Sequence, residues 1–237
     1  MSLEILQERS QIVSARRELV ARNASAVDSR LMIFLRRFGI AGRVAVGDKL
    51  KSWDVLSVLK YLENNVARDE PILDIGCYAS EIIVALHKVG YSRLVGADLN
   101  PYVYRMPFQN SIRYEVSDFM SLKIEDASFR AITAISVIEH GFQAHKLLGE
   151  ISRLLKQGGY FIASFDYWPE KVDTTGLKIF GMEWMIFSKA DVEGFVNEAS
   201  KYALYPTGKM HFAAKEKVID WGGRQYTLAT LVLVKGG

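Results

Sequence analysis

Cysteine is nearly absent from this 237-residue chain, where Cys77 stands alone. No internal disulfide can form, and a reducing compartment, the cytoplasm, is the expected setting. Histidine is scarce too, with four residues, and His140 and His145 are five apart rather than the four that would align them on one helical face. With no cysteine cluster beside them, no metal site is expected. Long apolar runs are missing. The longest, such as Ala131 to Ile138, are strand-sized, well short of the roughly 18–20 residues that span a bilayer. The N-terminus alternates charged and apolar residues, which does not fit a secretory leader. No G-x-G-x-x-G follows a strand pattern, which disfavours a nicotinamide-dependent oxidoreductase.

What remains is ordinary globular composition: 49% hydrophobic and 24% charged residues, with neither disorder nor repeats indicated. A folded chain of this size buries roughly 70–75% of its unfolded surface, enough for a core without staples. The net charge of +3 is uneven, because the first 45 residues carry eight basic and four acidic side chains. Such a block reads either as an anion-binding arm or as a solvated helix face. No aromatic precedes Phe34 to stack on bases, so no nucleic-acid partner is expected.

The first 67 residues read as a helical extension or cap. Ile5/Leu6, Ile12/Val13 and Leu19/Val20 recur every seven residues, a narrow stripe that packs on the body or meets a second copy of the chain. Val27, Leu31, Phe34, Leu35 and Phe38 form another face, ended by Gly39 and Gly42, and Leu50, Trp53, Leu56, Leu59 and Leu62 a third. From residue 68 the grammar changes. Apolar runs at Ile72–Ile75, Arg93–Ala97, Ile112–Val116, Ile132–Ile138 and Tyr160–Phe165 alternate with helical stretches at Glu81–Val89, Phe142–Lys156 and Lys189–Lys201. Strands alternating with helices predict an α/β, doubly wound, mostly parallel sheet. Gly158-Gly159 is expected to end one helix and open a strand, and Tyr205 with Arg224–Val234 predicts an antiparallel C-terminal strand.

Ligands of open parallel sheets sit outside the carboxyl ends of the strands. The first strand runs into Asp74-Ile75-Gly76-Cys77-Tyr78-Ala79-Ser80 and then a helix, a turn where glycine permits close backbone approach and the helix start favours a negative group. The second strand ends at Asp98-Leu99, 24 residues beyond Asp74, where an acid can accept hydrogen bonds from ribose hydroxyls. The third ends at Asp118-Phe119, a carboxylate for an exocyclic amine beside a ring to cover a base. Singly, each has a local explanation as a cap or turn residue.

Together these motifs resemble the class I (Rossmann-like) S-adenosylmethionine-dependent methyltransferases, most clearly from Pro71 to Phe165. The resemblance implies a seven-stranded sheet over residues 68–237, S-adenosylmethionine as cofactor and S-adenosylhomocysteine as product. It implies cofactor contacts from Asp74, Gly76, Cys77, Tyr78, Ser80, Asp98, Leu99, Asp118, Phe119, Ser136 and Val137. Ser136-Val137-Ile138-Glu139-His140 resembles the family's fourth strand and its turn, and Leu154 to Gly159 the lead into the fifth, with Gln157 where proline is frequent. Cys77 reads as a small pocket-lining residue rather than a nucleophile. The family's later loop glycines are replaced by Tyr78 and Ser80, and Arg130 stands where relatives often carry aspartate. A positive φ at Tyr78 would cost on the order of 1–2 kcal/mol. These departures leave open an alternative, a degenerate cofactor-binding protein without catalysis.

A methyl acceptor needs alignment and, for a hydroxyl, removal of its proton. His140, with Glu139, is the candidate base, the alternative being that both only shape the loop. The insertion at residues 166–187 follows the fifth strand and is rich in aromatics, so Tyr167, Trp168, Trp184 and, from the tail, His211 are the candidate acceptor contacts. Asp220, Trp221 and Arg224 are placed to reach the same cavity, and family architecture would bring Lys51 or Trp53 near the cofactor. The expected acceptor is a small organic hydroxyl compound of sugar, glycolipid or natural-product type.

Overall fold

The computed structural model describes residues 2–28, 34, 44–141, 143–179 and 181–237. The second helical face expected near Leu31, Leu35 and Phe38, and the basic Arg30, Arg36, Arg37 and Arg43, lie outside the described residues. Among those described, no helix is long and apolar enough to cross a membrane.

The sheet is built around β2 (Ile72–Ile75), buried at all four positions. It lies parallel between β3 (Leu94–Asp98) and β5 (Phe129–Ile135). β4 (Ile112–Val116) lies parallel outside β3, and β6 (Leu155–Tyr167) parallel outside β5. β11 (Arg224–Lys235) then runs antiparallel along β6, pairing Thr227 to Val234 with Tyr167 to Tyr160. A strand covered on both faces has no solvent side, which is why these segments read as continuous apolar runs.

One face is covered by α1 (Arg9–Ala21), α2 (Ser52–Asn65) and α3 (Glu81–Lys88), which bury Leu19, Leu59 and Leu86 among others. The opposite face is covered by α4 (Ala144–Leu154) and α5 (Lys189–Ser200), which bury Leu148, Ile151 and Val192. The start of α5 is set by a capping box: Ser188 Oγ accepts the Asp191 N–H, and Asp191 Oδ2 accepts the Ser188 N–H at 2.8 Å.

Two local expectations are corrected. The chain starts not in a helix but in β1 (Leu3–Ile5), which pairs antiparallel with β11 and completes a seven-strand path β1-β11-β6-β5-β2-β3-β4. β1 satisfies backbone groups of Ala229–Leu231 along the edge of β11 that faces away from β6. Short strands β9 (Leu204–Pro206) and β10 (Ile219–Trp221) pair with β11 as well. Gly158-Gly159 does not separate helix from strand: α4 passes directly into β6 at Leu155, and the glycines lie within β6 where its pairing with β5 slips. Gly158 takes φ +71 there, the signature of a bulge rather than of a helix end. The insertion after β6 carries a small hairpin, β7 (Lys178–Ile179) and β8 (Met182–Glu183).

Candidate functional site

Chain order reverses between β2 and β5, since β3 and β4 build outward on one side and β5 and β6 on the other. Loops leaving adjacent strands at such a reversal diverge and open a crevice at their carboxyl ends. Gly76 leaves β2 at φ +68, and a Cβ there would come within 2.4 Å of Val137 Cγ2 in the loop after β5. Backbone and space both restrict this position to glycine. Asp74 is buried beneath the loop, and its Oδ1 accepts the Thr133 hydroxyl at 2.7 Å. Asp74 Oδ2, Ser80 Oγ and Ser136 Oγ are buried without a hydrogen bond of ordinary geometry to another described group. Burial pushes Asp74 up to about 7, although hydrogen bonding from Thr133 and then Ser80 pulls it down.

Left-handed backbone falls at Ala79 (φ +60) and not at Tyr78, which corrects the expected strain. Tyr78 instead donates its N–H to Asp98 Oδ2 at 2.8 Å. Asp98 Oδ1 accepts the Asn100 N–H, also at 2.8 Å, so two backbone donors hold this carboxylate beside the loop. The Cys77 side chain does not line the crevice. It is fully buried against Gly96, where a Cβ would come within 2.7 Å of its Sγ, and burial pushes its thiol up. Leu99 is exposed beside Asp98. Asp118 is exposed, with Oδ1 accepting the Met120 N–H at 2.9 Å, and Phe119 packs half-buried on the core under α4.

A second polar group lies beyond β5. Glu139 is 1% exposed and Asp54, on α2, is 0% exposed. Lys51 Nζ sits 3.2 Å from Asp166 Oδ1, while Asp166 Oδ2 accepts the Trp184 Nε1–H at 2.9 Å. Asp54 Oδ2 accepts the Ser164 hydroxyl at 2.9 Å. Asp54 Oδ1 and Glu139 Oε2 have no hydrogen-bond partner among the described residues. Burial pushes Asp54 up to about 6, against the pull of Lys51 and Ser164. Glu139 is raised well above the usual range by burial and then by Asp166, with Lys51 opposing. For Lys51, burial alone would lower its ammonium, but Asp166, Asp54 and Glu139 together raise it. Burial lowers His140, which pairs with Trp184 across a backbone bridge. Burial and then Asp166 push the Tyr226 hydroxyl up.

Glu139, Trp184 and the insertion residues 171–177 line a cleft of about 660 Å³. A larger concavity of about 950 Å³ is lined by Leu94, Ile112 and Phe129, the first residues of their strands, and so opens at the opposite end of the sheet. Trp221 stacks edge-on against Trp184, and Arg224 donates to the Asp173 carbonyl at 2.6 Å, so both tail residues meet the insertion. Three expected acceptor residues are not brought to the cleft. Tyr167 points to the other face of β6, fully buried, with its hydroxyl donating to the Phe212 carbonyl at 2.7 Å. Trp168 packs half-buried with the Lys217 ammonium over its ring. His211 is exposed at the outer edge of the sheet, its N–H donating to the Leu3 carbonyl.

Asp54, Ser164 and Tyr226 escaped the sequence reading. One signal was present: Asp54 interrupts the apolar pattern of α2 between Trp53 and Val55. Ser164 and Asp166 are two apart on β6 and therefore share a face, but nothing local says what that face meets.

Residues 73–163 match a family model described as a methyltransferase domain. Ribosomal protein L11 methyltransferase of Desulforamulus reducens is 24% identical over 142 residues, 54% of this chain and 46% of that protein. A sterol 24-C-methyltransferase of Neurospora crassa is 28% identical over 104 residues, 40% of this chain and 27% of that protein. The matches thus span less than half the length of either relative. Geranyl diphosphate C-methyltransferase from Streptomyces coelicolor, solved with Mg²⁺, geranyl diphosphate and S-adenosylhomocysteine, superposes with a TM-score of 0.58 at 14% identity, covering 76% of this chain and 78% of that one.

Proposed function

This chain carries a class I S-adenosylmethionine-dependent methyltransferase domain, and from that premise we propose that it transfers a methyl group from this cofactor to a small organic acceptor. The observation that carries the reading is the crevice between β2 and β5. Gly76 meets Val137 there with no room for a side chain, and Asp74, Ser80 and Ser136 place buried polar atoms around it. Buried polar atoms are ordinarily paired, so Ser136 Oγ, without a partner among the described residues, fits a polar ligand that completes it beside the Asp74–Ser80 pair. Asp98, held by two backbone donors, keeps lone pairs for ribose hydroxyls, and Leu99, Asp118 and Phe119 frame the base. The cofactor, when bound, supplies a methyl group already activated on a sulfonium.

The protein's own tasks are alignment and proton removal. Glu139 and His140 lie in the loop after β5, beyond Ser136 and Val137 of the crevice, and Glu139 lines the insertion cleft. Burial favours the neutral imidazole of His140 and makes the Glu139 carboxylate more basic, so either can serve as proton acceptor to a hydroxyl or an amine. Trp184 forms the wall of the acceptor cleft. The hydroxyl acceptor expected from the sequence needs only such a base. A single buried thiol suits a cytoplasmic setting, and a second copy of the chain meeting α1 through the exposed Val13 and Val20 is the oligomer that the heptad stripe suggests.

Thermal unfolding with S-adenosylmethionine and S-adenosylhomocysteine, beside NAD and ATP, tests the reading. Ligand at 100 times its Kd stabilises by about 2.7 kcal/mol, a shift of roughly 5–10 °C for a chain of this size. A shift confined to the two sulfur nucleosides supports it. No shift at millimolar ligand transfers support to the non-catalytic alternative.

A further inference from the structure

Building on the methyl-transfer reading, we propose that the acceptor is a cation, and that a protonated amino group of a small organic molecule binds in the insertion cleft between the Glu139 carboxylate and the Trp184 ring. Charge balance is the first argument. Three carboxyl groups, Asp54, Glu139 and Asp166, face a single ammonium, Lys51, with the His140 imidazole beside them, and Lys51 is committed to Asp166 at 3.2 Å. Asp166 is completed by Trp184 Nε1 on its other oxygen. That leaves Glu139 Oε2 and Asp54 Oδ1, both on side chains buried beyond nine-tenths, with no hydrogen-bond partner among the described residues. A buried carboxyl oxygen without a hydrogen-bond partner is costly, and a donor arriving from the cleft would complete Glu139.

The cleft itself has the same sign. Glu139, Asp173 and Glu183 line it, Arg224 lies against Asp173 at the rim, and the basic residue on its wall, Lys171, pairs with Asp191 on α5 at 2.8 Å. An alkylammonium brings three N–H donors and a positive charge, which is what these oxygens lack. A neutral hydroxyl brings one donor and no charge, and a carboxylate or phosphate is repelled. Trp184 supplies a ring braced edge-on by Trp221 and Tyr226, a surface that attracts a cation over its face. Within the proposed reaction the bound ammonium would give one N–H proton to Glu139. The lone pair so freed would take the methyl group as the methyl–sulfur bond breaks and S-adenosylhomocysteine leaves, so the acceptor atom is an amine nitrogen in place of the expected hydroxyl oxygen.

The test is isothermal titration of the full chain, first with S-adenosylhomocysteine and then, at saturation, with three probes of matched shape: phenethylammonium, 2-phenylethanol and phenylacetate. The ammonium is expected to bind at least about tenfold tighter than the alcohol, the gain of one charge-assisted hydrogen bond, with phenylacetate weaker still. Glu139→Gln should reduce that preference to within about threefold while S-adenosylhomocysteine affinity stays within about twofold. Asp54→Asn, a second isosteric change, should weaken it in the same direction. Equal binding of alcohol and ammonium overturns the proposal, as does binding of S-adenosylhomocysteine with none of the probes. An ammonium preference undiminished in both variants overturns it too. A chain that binds the ammonium but not S-adenosylhomocysteine keeps the amine site and removes the methyl-transfer reading instead.

Discussion

Arg16 on α1 grips Glu81, the first residue of α3, through two parallel hydrogen bonds of 2.7 Å. Glu81 Oε1 also accepts the Ala26 N–H at 2.8 Å, and its side chain is 1% exposed. Because Glu81 follows Ser80 directly, this fork ties the N-terminal segment to the loop proposed to hold the cofactor. Gly47 reinforces the tie by donating its N–H to the Ala79 carbonyl at 2.8 Å.

Removing one partner of a buried, bidentate pair strands the other. Arg16→Ala is therefore expected to lower stability by about 3 kcal/mol, the low end for such pairs because Arg16 keeps some exposure. It should also weaken S-adenosylhomocysteine binding, since the loop loses its brace. Urea unfolding and titration of the same variant check both, and an unchanged denaturation midpoint would falsify the clamp.

Gly76→Ala meets two obstacles, a left-handed backbone and Val137. The first costs about 1–2 kcal/mol and the second, as overpacking, about 1–3 kcal/mol. Adding Val137→Ala should recover only the packing part. If the double variant binds S-adenosylhomocysteine as the wild type does, backbone conformation at Gly76 is not what shapes the site.

Tyr78 and Ala79 are separated by their backbone. Ala79→Gly should raise stability by about 0.5–1 kcal/mol, because relief of φ +60 outweighs the added chain entropy. Tyr78→Gly gains nothing by that route. Thermal unfolding of the two variants decides between them, and the reverse ranking would place the strain at Tyr78 after all.

Asp74 makes stability depend on pH. Its folded value of about 7 lies above the unfolded value of about 3.9, so the folded state binds the extra proton between them. The contribution is fully present below about pH 4 and is lost as pH rises through 7. Asp74→Asn should flatten the stability profile over that window by up to one proton, about 1.4 kcal/mol per pH unit at its steepest. Parallel profiles for the two proteins would show that the buried carboxyl does not titrate there.

Glu139 and His140 compete for the role of base. Glu139→Gln is expected to lower kcat about a hundredfold or more, the usual worth of a positioned proton acceptor, without changing S-adenosylhomocysteine affinity. His140→Ala should cost less, because Glu139 is the buried group that lines the cleft. Turnover measured on any accepted amine or alcohol ranks the two, and a larger loss at His140 reverses the assignment.

Local pattern determined much of this protein. The apolar run Ile72–Ile75, the helix starting at Glu81 and the strand Ile112–Val116 stand where their periodicity places them, and Gly76 after β2 marks the crevice by its chemistry alone. These features depend on neighbours within a few residues, so a linear reading reaches them. Only the tertiary structure decided that Leu3–Ile5 is a strand, because its partner is Ala229–Leu231 at the far end of the chain. Likewise, Lys51, Asp54, Glu139, Asp166 and Tyr226 come from α2 with the turn before it, the loop after β5, and strands β6 and β11. They converge because the sheet places β5, β6 and β11 side by side and α2 packs across them. Burial then shifts the proton affinities of these polar side chains, and burial is a property of the packed molecule that no segment of sequence carries by itself.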